Sequence, residues 1–216
     1  MSARTEILQR VRAGVGQADL AGRRARLENL LAAPTRGPQP EIGADLVGRF
    51  QEKALSLASS VERVADPAAV PAAVARFLTI GGLGSQAVLT ADLAGLDWSA
   101  CGLEVAVRPA QDADQVGISG CFCAIAESGT LMLLSGPGSA ATVSLLPETH
   151  IALVAESRIV ATMEDAFALL RAERGSIPRA INFISGPSRT GDIEQTIVLG
   201  AHGPCRVHLI LTGENP

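Results

Sequence analysis

Residues 180–194 read AINFISGPSRTGDIE, and this stretch decides how the rest of the chain is interpreted. Its first five residues form an apolar run typical of a buried strand, and Gly186 and Pro187 then indicate a turn. Asp192, with Gln195 three positions later, has the pattern of a helix N-cap. The sequence therefore predicts a buried strand, a turn and a helix that runs from residue 193 to residue 199.

The predicted turn carries groups that bind anions. Hydroxyl donors come from Ser185, Ser188 and Thr190, and Arg189 supplies a planar guanidinium that fits a carboxylate or a phosphate. The start of a helix adds unpaired backbone N–H groups and the positive end of the helix dipole. Together these features predict a substrate-binding loop for an anion.

Two acidic residues, Asp192 and Glu194, lie next to this turn. Beside a bound anion their carboxylates would orient a metal ion, a proton or a hydroxyl group, so both are candidate catalytic residues. The alternative is a solvated, well-capped loop in which Arg189 pairs with Asp192. The residue types alone leave both interpretations open.

Further candidates lie outside the loop. Glu127 stands at the entrance of a predicted strand, where a carboxylate is either paired or chemically active. His150 stands at the entrance of another strand, and His202 lies in a Gly-Pro turn, so each is a candidate general base or ligand. Thr130 begins the strand after Glu127 and is a candidate for substrate binding. The structural alternatives are a helix cap or ion pair for Glu127 and hydrogen-bonded structural roles for the histidines.

The tripeptide Ser-Gly-Pro occurs twice, at residues 135–137 and 185–187, each time after an apolar run. Open parallel sheets collect ligands at the carboxyl ends of their strands. The two loops could therefore hold two ends of one ligand, or both could be ordinary turns. We expect Glu127 and Arg189 to approach each other at the same site.

Composition makes several classes of function improbable. The chain has 216 residues, 47% of them hydrophobic, and a formal net charge of −4. It lacks a basic cluster interleaved with aromatic residues and a polybasic segment, so neither nucleic acid nor an anionic membrane surface is an expected partner. The N-terminus has no apolar signal-peptide core, and no apolar run reaches the ~18 residues needed to cross a bilayer. A cytoplasmic location and no membrane insertion are expected.

The cysteines lack the C-x₂-C spacing of metal sites; they are Cys101, Cys121, Cys123 and Cys205. Ligation of zinc or of an iron–sulfur cluster by this chain alone is therefore not expected. The four residues are interpreted as free thiols or small apolar side chains. The sequence predicts neither a metal site nor a cofactor on this chain.

Apolar patterning divides the chain between residues 64 and 65. Residues 1–64 show helical periodicity around a Pro-rich segment and predict an N-terminal helical appendage that packs on the domain, self-associates as a homodimer or docks a partner. Residues 65–216 contain apolar runs that predict a mostly parallel α/β sheet flanked by helices. Within this part, residues 116–126 are predicted to form a short helix.

Four blocks of sequence resemble the lactate-utilization protein C family (LUD domain). They are AESGTL at 126–131, LPETHI at 146–151, SGPSRTGDIE at 185–194 and LGAHGP at 199–204, within a similarity that covers roughly residues 80–213. The family often has Thr, Pro and Ala at the positions where this chain has Ser128, Glu148 and Gly191.

This resemblance implies the α/β fold shared by sugar-phosphate isomerases, coenzyme A transferases and formyltetrahydrofolate cyclo-ligases. It also implies a non-redox subunit of a bacterial L-lactate oxidation system, which turns lactate into pyruvate. Iron–sulfur clusters would then be carried by partner proteins, while this chain binds a small carboxylate or other anion. Arg189 would hold the carboxylate, and Glu127 or a histidine would handle the hydroxyl proton.

Two other functions remain open at this level. One is a free-standing transferase or ligase of the same fold, acting on a phosphorylated or coenzyme A substrate with Glu127 as nucleophile. The other is a ligand-binding scaffold without catalysis, whose N-terminal helices dock a partner.

Overall fold

The computed structural model describes residues 2–15, 19–33, 37–191 and 198–213. The chain forms two compact units, Met1–Gln39 and Pro40–Pro216. Six helices lie in the described part: α1 Ala3–Val15, α2 Leu20–Ala32, α3 Leu46–Ser56, α4 Val70–Ile80, α5 Thr142–Leu145 and α6 Met163–Arg174. None of these helices is both long and apolar enough to cross a bilayer.

A six-stranded parallel sheet forms the centre of the second unit. Its strands are β1 Ser60–Val64, β2 Gln86–Leu89, β3 Glu104–Val107, β4 Val116–Ser119, β7 Thr149–Ala155 and β12 Arg206–Thr212. They lie in the order β1-β12-β7-β4-β2-β3, and every neighbouring pair is parallel. The long strands β7 and β12 are almost wholly buried, which explains their continuous apolar sequences.

A second, four-stranded sheet packs on one face of the first. Its order is β8-β5-β6-β9, with the bounds β5 Cys123–Ile125, β6 Thr130–Leu134, β8 Ile159–Val160 and β9 Ile181–Ile184. β6 is antiparallel to both β5 and β9, whereas β8 runs parallel to β5. A further two-stranded hairpin joins β10 Arg189–Thr190 to β11 Val198–Leu199.

Successive side chains of β6 point to opposite faces of the second sheet and so contribute to two different layers of the core. Leu131 and Leu133 face the large sheet together with Phe50 of α3, whereas Met132 faces α6. The opposite face of the large sheet is covered by α4 and by the segment that carries Trp98. The layers are therefore α4, the large sheet, the small sheet and α6, with α3 at the boundary between the sheets. The predicted α/β class is confirmed by this arrangement.

The first unit consists of α1 and α2, and neither helix buries a residue. Its large apolar side chains are all exposed; they are Ile7, Leu8, Val11, Val15, Leu20, Leu27, Leu30 and Leu31. Isolated helices of about 12–15 residues are only marginally stable in water. This unit therefore offers a helical surface and does not contribute a core.

The boundary of the two units differs from the predicted one. The segment 41–64, expected to belong to the helical appendage, contains α3 and β1 and lies within the second unit. β1 completes the edge of the large sheet through its pairing with β12. This pairing joins residues far apart in sequence, which helical periodicity around Phe50 could not reveal.

Two local predictions were wrong. The short helix expected at 116–126 is replaced by β4, which pairs with β2 and β7, and by β5, which pairs with β6 and β8; apolar composition does not reveal such pairing between distant segments. Residues 198 and 199, expected to end a helix, form strand β11, in which Val198 pairs with Thr190. Residues 192–197, including the candidates Asp192 and Glu194, lie outside the described residues.

Candidate functional site

A cavity of about 440 Å³ opens at the carboxyl ends of β2 and β4. After β2 the chain moves outward to the edge strand β3, whereas after β4 it passes through β5 and β6 of the second sheet and returns to the large sheet on the other side of β4, as β7. The connections from these neighbouring strands thus diverge and leave a crevice between them. Crevices at such topological switch points are the usual ligand sites of open α/β sheets.

The glycine-rich loop of residues 135–139, which follows β6 and contains the first Ser-Gly-Pro, forms a wall of the cavity. The Ala91 N–H donates a hydrogen bond of 2.8 Å to the Gly138 carbonyl, which docks the loop on the turn after β2. Gly138 has φ +77°, and a Cβ there would lie 2.7 Å from the Ala91 Cβ. Glycine is required at this position both by its conformation and by the close approach.

Two side chains of opposite charge line the cavity, Asp92 from the turn after β2 and Arg174 from the end of α6. Within the described residues, neither forms an ion pair or a hydrogen bond, with each other or with any other side chain. Gly120 makes room for the carboxylate, because a Cβ at this position would overlap Asp92. The cavity therefore presents a carboxylate and a guanidinium without close ion pairs, although the charge of Arg174 also helps to lower the pKa of Glu173.

An aromatic ring, Phe122, completes the lining beside Arg174, whose guanidinium carbon lies 5.9 Å from the ring centre. The guanidinium of Arg158 lies over the same ring at 4.8 Å and donates a hydrogen bond of 2.9 Å to the Phe122 carbonyl. Two further hydrogen bonds, of 2.5 and 2.9 Å, tie Arg158 to Glu173. Arg158 thus positions the ring, while Arg174 keeps its donors free.

The cysteine that lines the cavity is not an activated nucleophile. Cys121 Sγ donates to the Cys123 carbonyl at 2.8 Å, and burial raises the pKa of the Cys121 thiol. The thiol stays protonated at neutral pH, so it lacks the thiolate that nucleophilic chemistry needs. Across the described residues no group of three or more His, Cys, Asp and Glu side chains is placed to hold a metal ion.

Glu127, the candidate catalytic carboxylate, caps a helix. Its Oε1 accepts a hydrogen bond of 2.9 Å from the Met163 N–H at the start of α6. Thr162 completes the cap with a capping box to Asp165. A carboxylate at this end is favoured by the free N–H groups and by the helix dipole. The structural alternative considered for Glu127 is therefore realised, and a catalytic role remains a prediction.

The capping role predicts how substitutions of Glu127 change stability. Glu127→Ala is expected to lower the free energy of unfolding by about 1 kcal/mol, because the Met163 N–H loses its acceptor. Glu127→Gln is expected to retain most of that stability, since the amide oxygen still accepts. Urea denaturation measures both, with Glu164→Ala in the same helical turn as control. Equal stability of Glu127→Ala and the parent chain would show that the cap is unimportant.

The structure brings two of the candidate binding residues together. The Thr130 and Ser185 hydroxyls lie 2.8 Å apart, since β6 and β9 are neighbours, and Ser128 donates to the Thr130 hydroxyl at 2.8 Å. Both turns pack on the end of α3, where Gly186, with φ +82°, leaves no room for a Cβ beside Leu57. The Glu127 turn and the Ser185 turn therefore adjoin through hydroxyl groups.

The rest of the central motif leaves this contact and lies against a different segment. The Ser188 N–H donates to the Pro204 carbonyl at 2.8 Å, and the Ser188 carbonyl accepts from Gly200 N–H at 2.9 Å. Arg189 is exposed on the β10–β11 hairpin, its neighbour Thr190 is buried, and His202 is exposed in the following turn. None of these residues lines the cavity at β2 and β4.

His150 has the environment of a structural histidine. It is fully buried on β7, and its Nε2 lies 2.8 Å from the Ser119 hydroxyl. Nδ1 has no hydrogen-bond partner within the described ranges. Burial lowers the pKa of His150 to about 4, so the ring is neutral at physiological pH.

Asp92 and Arg174 were not among the candidate residues that the sequence indicated. Asp92 had a usable signal, because it follows the buried strand β2, where polar residues line ligand crevices. Arg174 had none, since a basic residue in the last turn of a helix is commonly explained by the helix dipole. Their shared cavity becomes visible only when α6 is placed over the second sheet.

A family model now accounts for this architecture. The LUD domain model matches residues 50–212, which include the second half of α3, both sheets and the cavity-lining residues. The chain belongs to the LUD domain family. The resemblance drawn from the four sequence blocks is confirmed, and the match extends it toward the N-terminus as far as α3.

Among curated relatives, this LUD domain chain is similar to lactate utilization protein C of several bacteria. It is 48% identical over 99 residues to that of Geobacillus sp. (strain WCH70), a match covering 44% of this chain and 41% of the relative. It is 40% identical over 121 residues to that of Bacillus subtilis (strain 168), covering 55% of this chain and 50% of the relative. The matches thus span about half the length of these relatives.

A solved structure shares the fold of this LUD domain chain. It is the crystal structure of a DUF162 family protein from Deinococcus radiodurans at 1.70 Å resolution. The TM-score is 0.59 with 25% sequence identity, and the alignment covers 81% of this chain and 100% of that one. Its extent agrees with a second unit that folds around the two sheets.

Proposed function

We propose that this chain is a subunit of a bacterial L-lactate utilization system that turns lactate into pyruvate. The observation that carries the proposal is the similarity to lactate utilization protein C, at 40% identity over 121 residues for the Bacillus subtilis protein. Membership of the LUD domain family supports it independently of any one relative.

Within that system we assign the chain a non-redox task, the binding of a small carboxylate or other anion. Iron–sulfur partner proteins would carry the electrons, because the cysteine spacing of this chain does not match a cluster-binding motif. Two arginines are candidates to pair with the anion, Arg189 on the β10–β11 hairpin and Arg174 at the cavity. A guanidinium fork suits a carboxylate in either place.

Lactate-dependent reduction of a redox dye tests the proposal. The purified chain is combined with iron–sulfur proteins that co-purify with it, and the rate is compared with that of those proteins alone. We expect at least a tenfold higher rate when the chain is present, and Arg189→Ala tests whether the hairpin takes part. Equal rates with and without the chain would contradict the proposal, whereas activity of the chain alone on thioesters would favour a free-standing transferase.

A further inference from the structure

We propose that the cavity between the carboxyl ends of β2 and β4 binds a small hydroxy carboxylate. In this assignment Arg174 pairs with the carboxylate, and Asp92 accepts a hydrogen bond from the hydroxyl group. The location of the site depends on geometry alone, and the choice of L-lactate as its ligand rests on the proposed function.

The position and size of the cavity support a ligand site. It lies at the switch point of the large sheet, and its volume of about 440 Å³ falls within the range of small-molecule sites. Its lining mixes apolar side chains such as Phe122 and Leu133 with a few polar groups. This mixture is typical of sites in which polar groups orient an otherwise loosely held ligand.

The charges of the cavity select the chemistry of the ligand. Asp92 and Arg174 line the same space, and among the described residues neither is held in a close ion pair or a side-chain hydrogen bond, although the charge of Arg174 also acts on Glu173. A ligand with an anionic group at one end and a hydrogen-bond donor at the other satisfies both. A hydroxy carboxylate has these two features, whereas a simple carboxylate leaves Asp92 without a donor.

A serine hydroxyl adds a third polar contact. Ser135 lines the cavity, and its oxygen accepts a hydrogen bond of 2.8 Å from the Ala180 N–H. The hydroxyl hydrogen of Ser135 is thus available to a ligand oxygen. Since the same bond ties the glycine loop to the segment before β9, this donor is held by the fold.

A neighbouring cavity of about 310 Å³, which shares Gly136 and Gly138 with the first, does not offer the same chemistry. Its cation, Arg108, already makes hydrogen bonds of 2.6 and 2.8 Å to the Asp114 carboxylate. This pairing lowers the pKa of Asp114 and occupies the guanidinium fork. No such hydrogen bonds hold the guanidinium of Arg174 among the described residues, which makes the cavity at β2 and β4 the better anion site.

Calorimetric titration of the full chain tests the assignment with three ligands that differ by one group. L-lactate carries both the carboxylate and the hydroxyl, propionate lacks the hydroxyl, and 1,2-propanediol lacks the carboxylate. We expect L-lactate to bind with a Kd on the order of 1 mM or below and the other two to bind at least tenfold more weakly.

Substitutions of Arg174 and Asp92 test the role of each residue in ligand binding. Arg174→Ala is expected to weaken L-lactate binding at least tenfold, and Arg174→Lys is expected to restore part of it. Asp92→Ala is expected to bring the affinities for L-lactate and propionate to within about twofold. Arg171→Ala, on the same helix but outside the cavity, is the matched control, and thermal unfolding verifies that each variant is folded.

The inference fails if L-lactate does not bind, or if Arg174→Ala and Asp92→Ala leave its affinity unchanged. Dye reduction separates this failure from that of the proposed function. A chain that stimulates lactate oxidation without binding lactate in the cavity would overturn the site and leave the function standing. A chain that binds lactate through Arg174 without stimulating oxidation would overturn the function and leave the site standing.

Discussion

A chain shortened to begin at Pro40 is expected to keep the cooperative unfolding of the full-length protein, whereas a chain that begins at Ala65 is expected not to fold. The first deletion removes α1 and α2, which bury no residue. The second also removes Phe50 and Ala54, both fully buried in the core between the sheets. Loss of a buried Phe side chain alone costs about 3–5 kcal/mol, against a typical total stability of about 5–15 kcal/mol.

The longer deletion also exposes a sheet edge. β1 pairs with β12 along its whole length, and the Ser60 hydroxyl lies 2.8 Å from His208 Nδ1. Without β1, the backbone groups of β12 on that side would lose their partners. Circular dichroism during thermal unfolding measures both deletions, with Phe50→Ala in the full chain as a milder comparison. A cooperative transition in the chain that begins at Ala65 would show that α3 and β1 are dispensable.

Acidification from pH 7.5 to pH 5 is expected to destabilise the protein by several kcal/mol. Two of the three histidines, His150 and His208, are buried, and burial is the main cause that lowers the pKa of each to about 4. For His208 the charge of Arg76 acts in the same direction and that of Glu62 opposes it. In the unfolded chain both histidines have a pKa of about 6.5.

The sign of the effect follows from proton binding. Between about pH 6.5 and pH 4 the unfolded chain binds more protons than the folded one, so stability falls as the pH falls through this range. At pH 5 each histidine contributes a loss of about 2 kcal/mol. The pKa values of Asp114 and Glu173 are lowered, so these carboxylates stabilise the folded chain while they are ionised. That stabilisation is lost below this pH range, as the two carboxylates become protonated.

Urea denaturation at both pH values measures the loss. The variants His150→Gln and His208→Gln are each expected to remove about half of the pH dependence, because glutamine does not titrate. His202→Gln, which replaces the exposed histidine, is the control. A stability that does not change between pH 7.5 and pH 5 would contradict the burial of both rings.

Local sequence patterns predicted much of the large sheet and less of the small one. The runs that became β2, β7 and β12 were recognised because parallel strands buried on both faces have continuous apolar sequences. β6 and β9 were recognised as strands but were expected to join the same parallel sheet. They pair antiparallel in a second sheet, and an apolar run carries no information on the direction of its partner.

The sequence likewise predicted some contacts between candidate site residues but not others. Thr130 and Ser185 were expected near one site and do lie in hydrogen-bond contact. The expected approach of Glu127 and Arg189 stays a prediction; the structure shows that Glu127 caps α6, a role that depends on a path of the chain that motifs do not encode. A role of Arg189 in anion binding stays a prediction, which the dye-reduction assay of Arg189→Ala tests.

The amino-acid sequence by itself determined the family, the α/β class and the ordered motifs, because these follow from residue types at short spacing. Only the tertiary structure decided that α3 and β1 belong to the sheet domain and that Asp92 and Arg174 line one cavity. The physical reason is that both results depend on pairing and packing between segments distant in the chain. Local periodicity records which face of a segment is buried, but it does not record what that face is buried against.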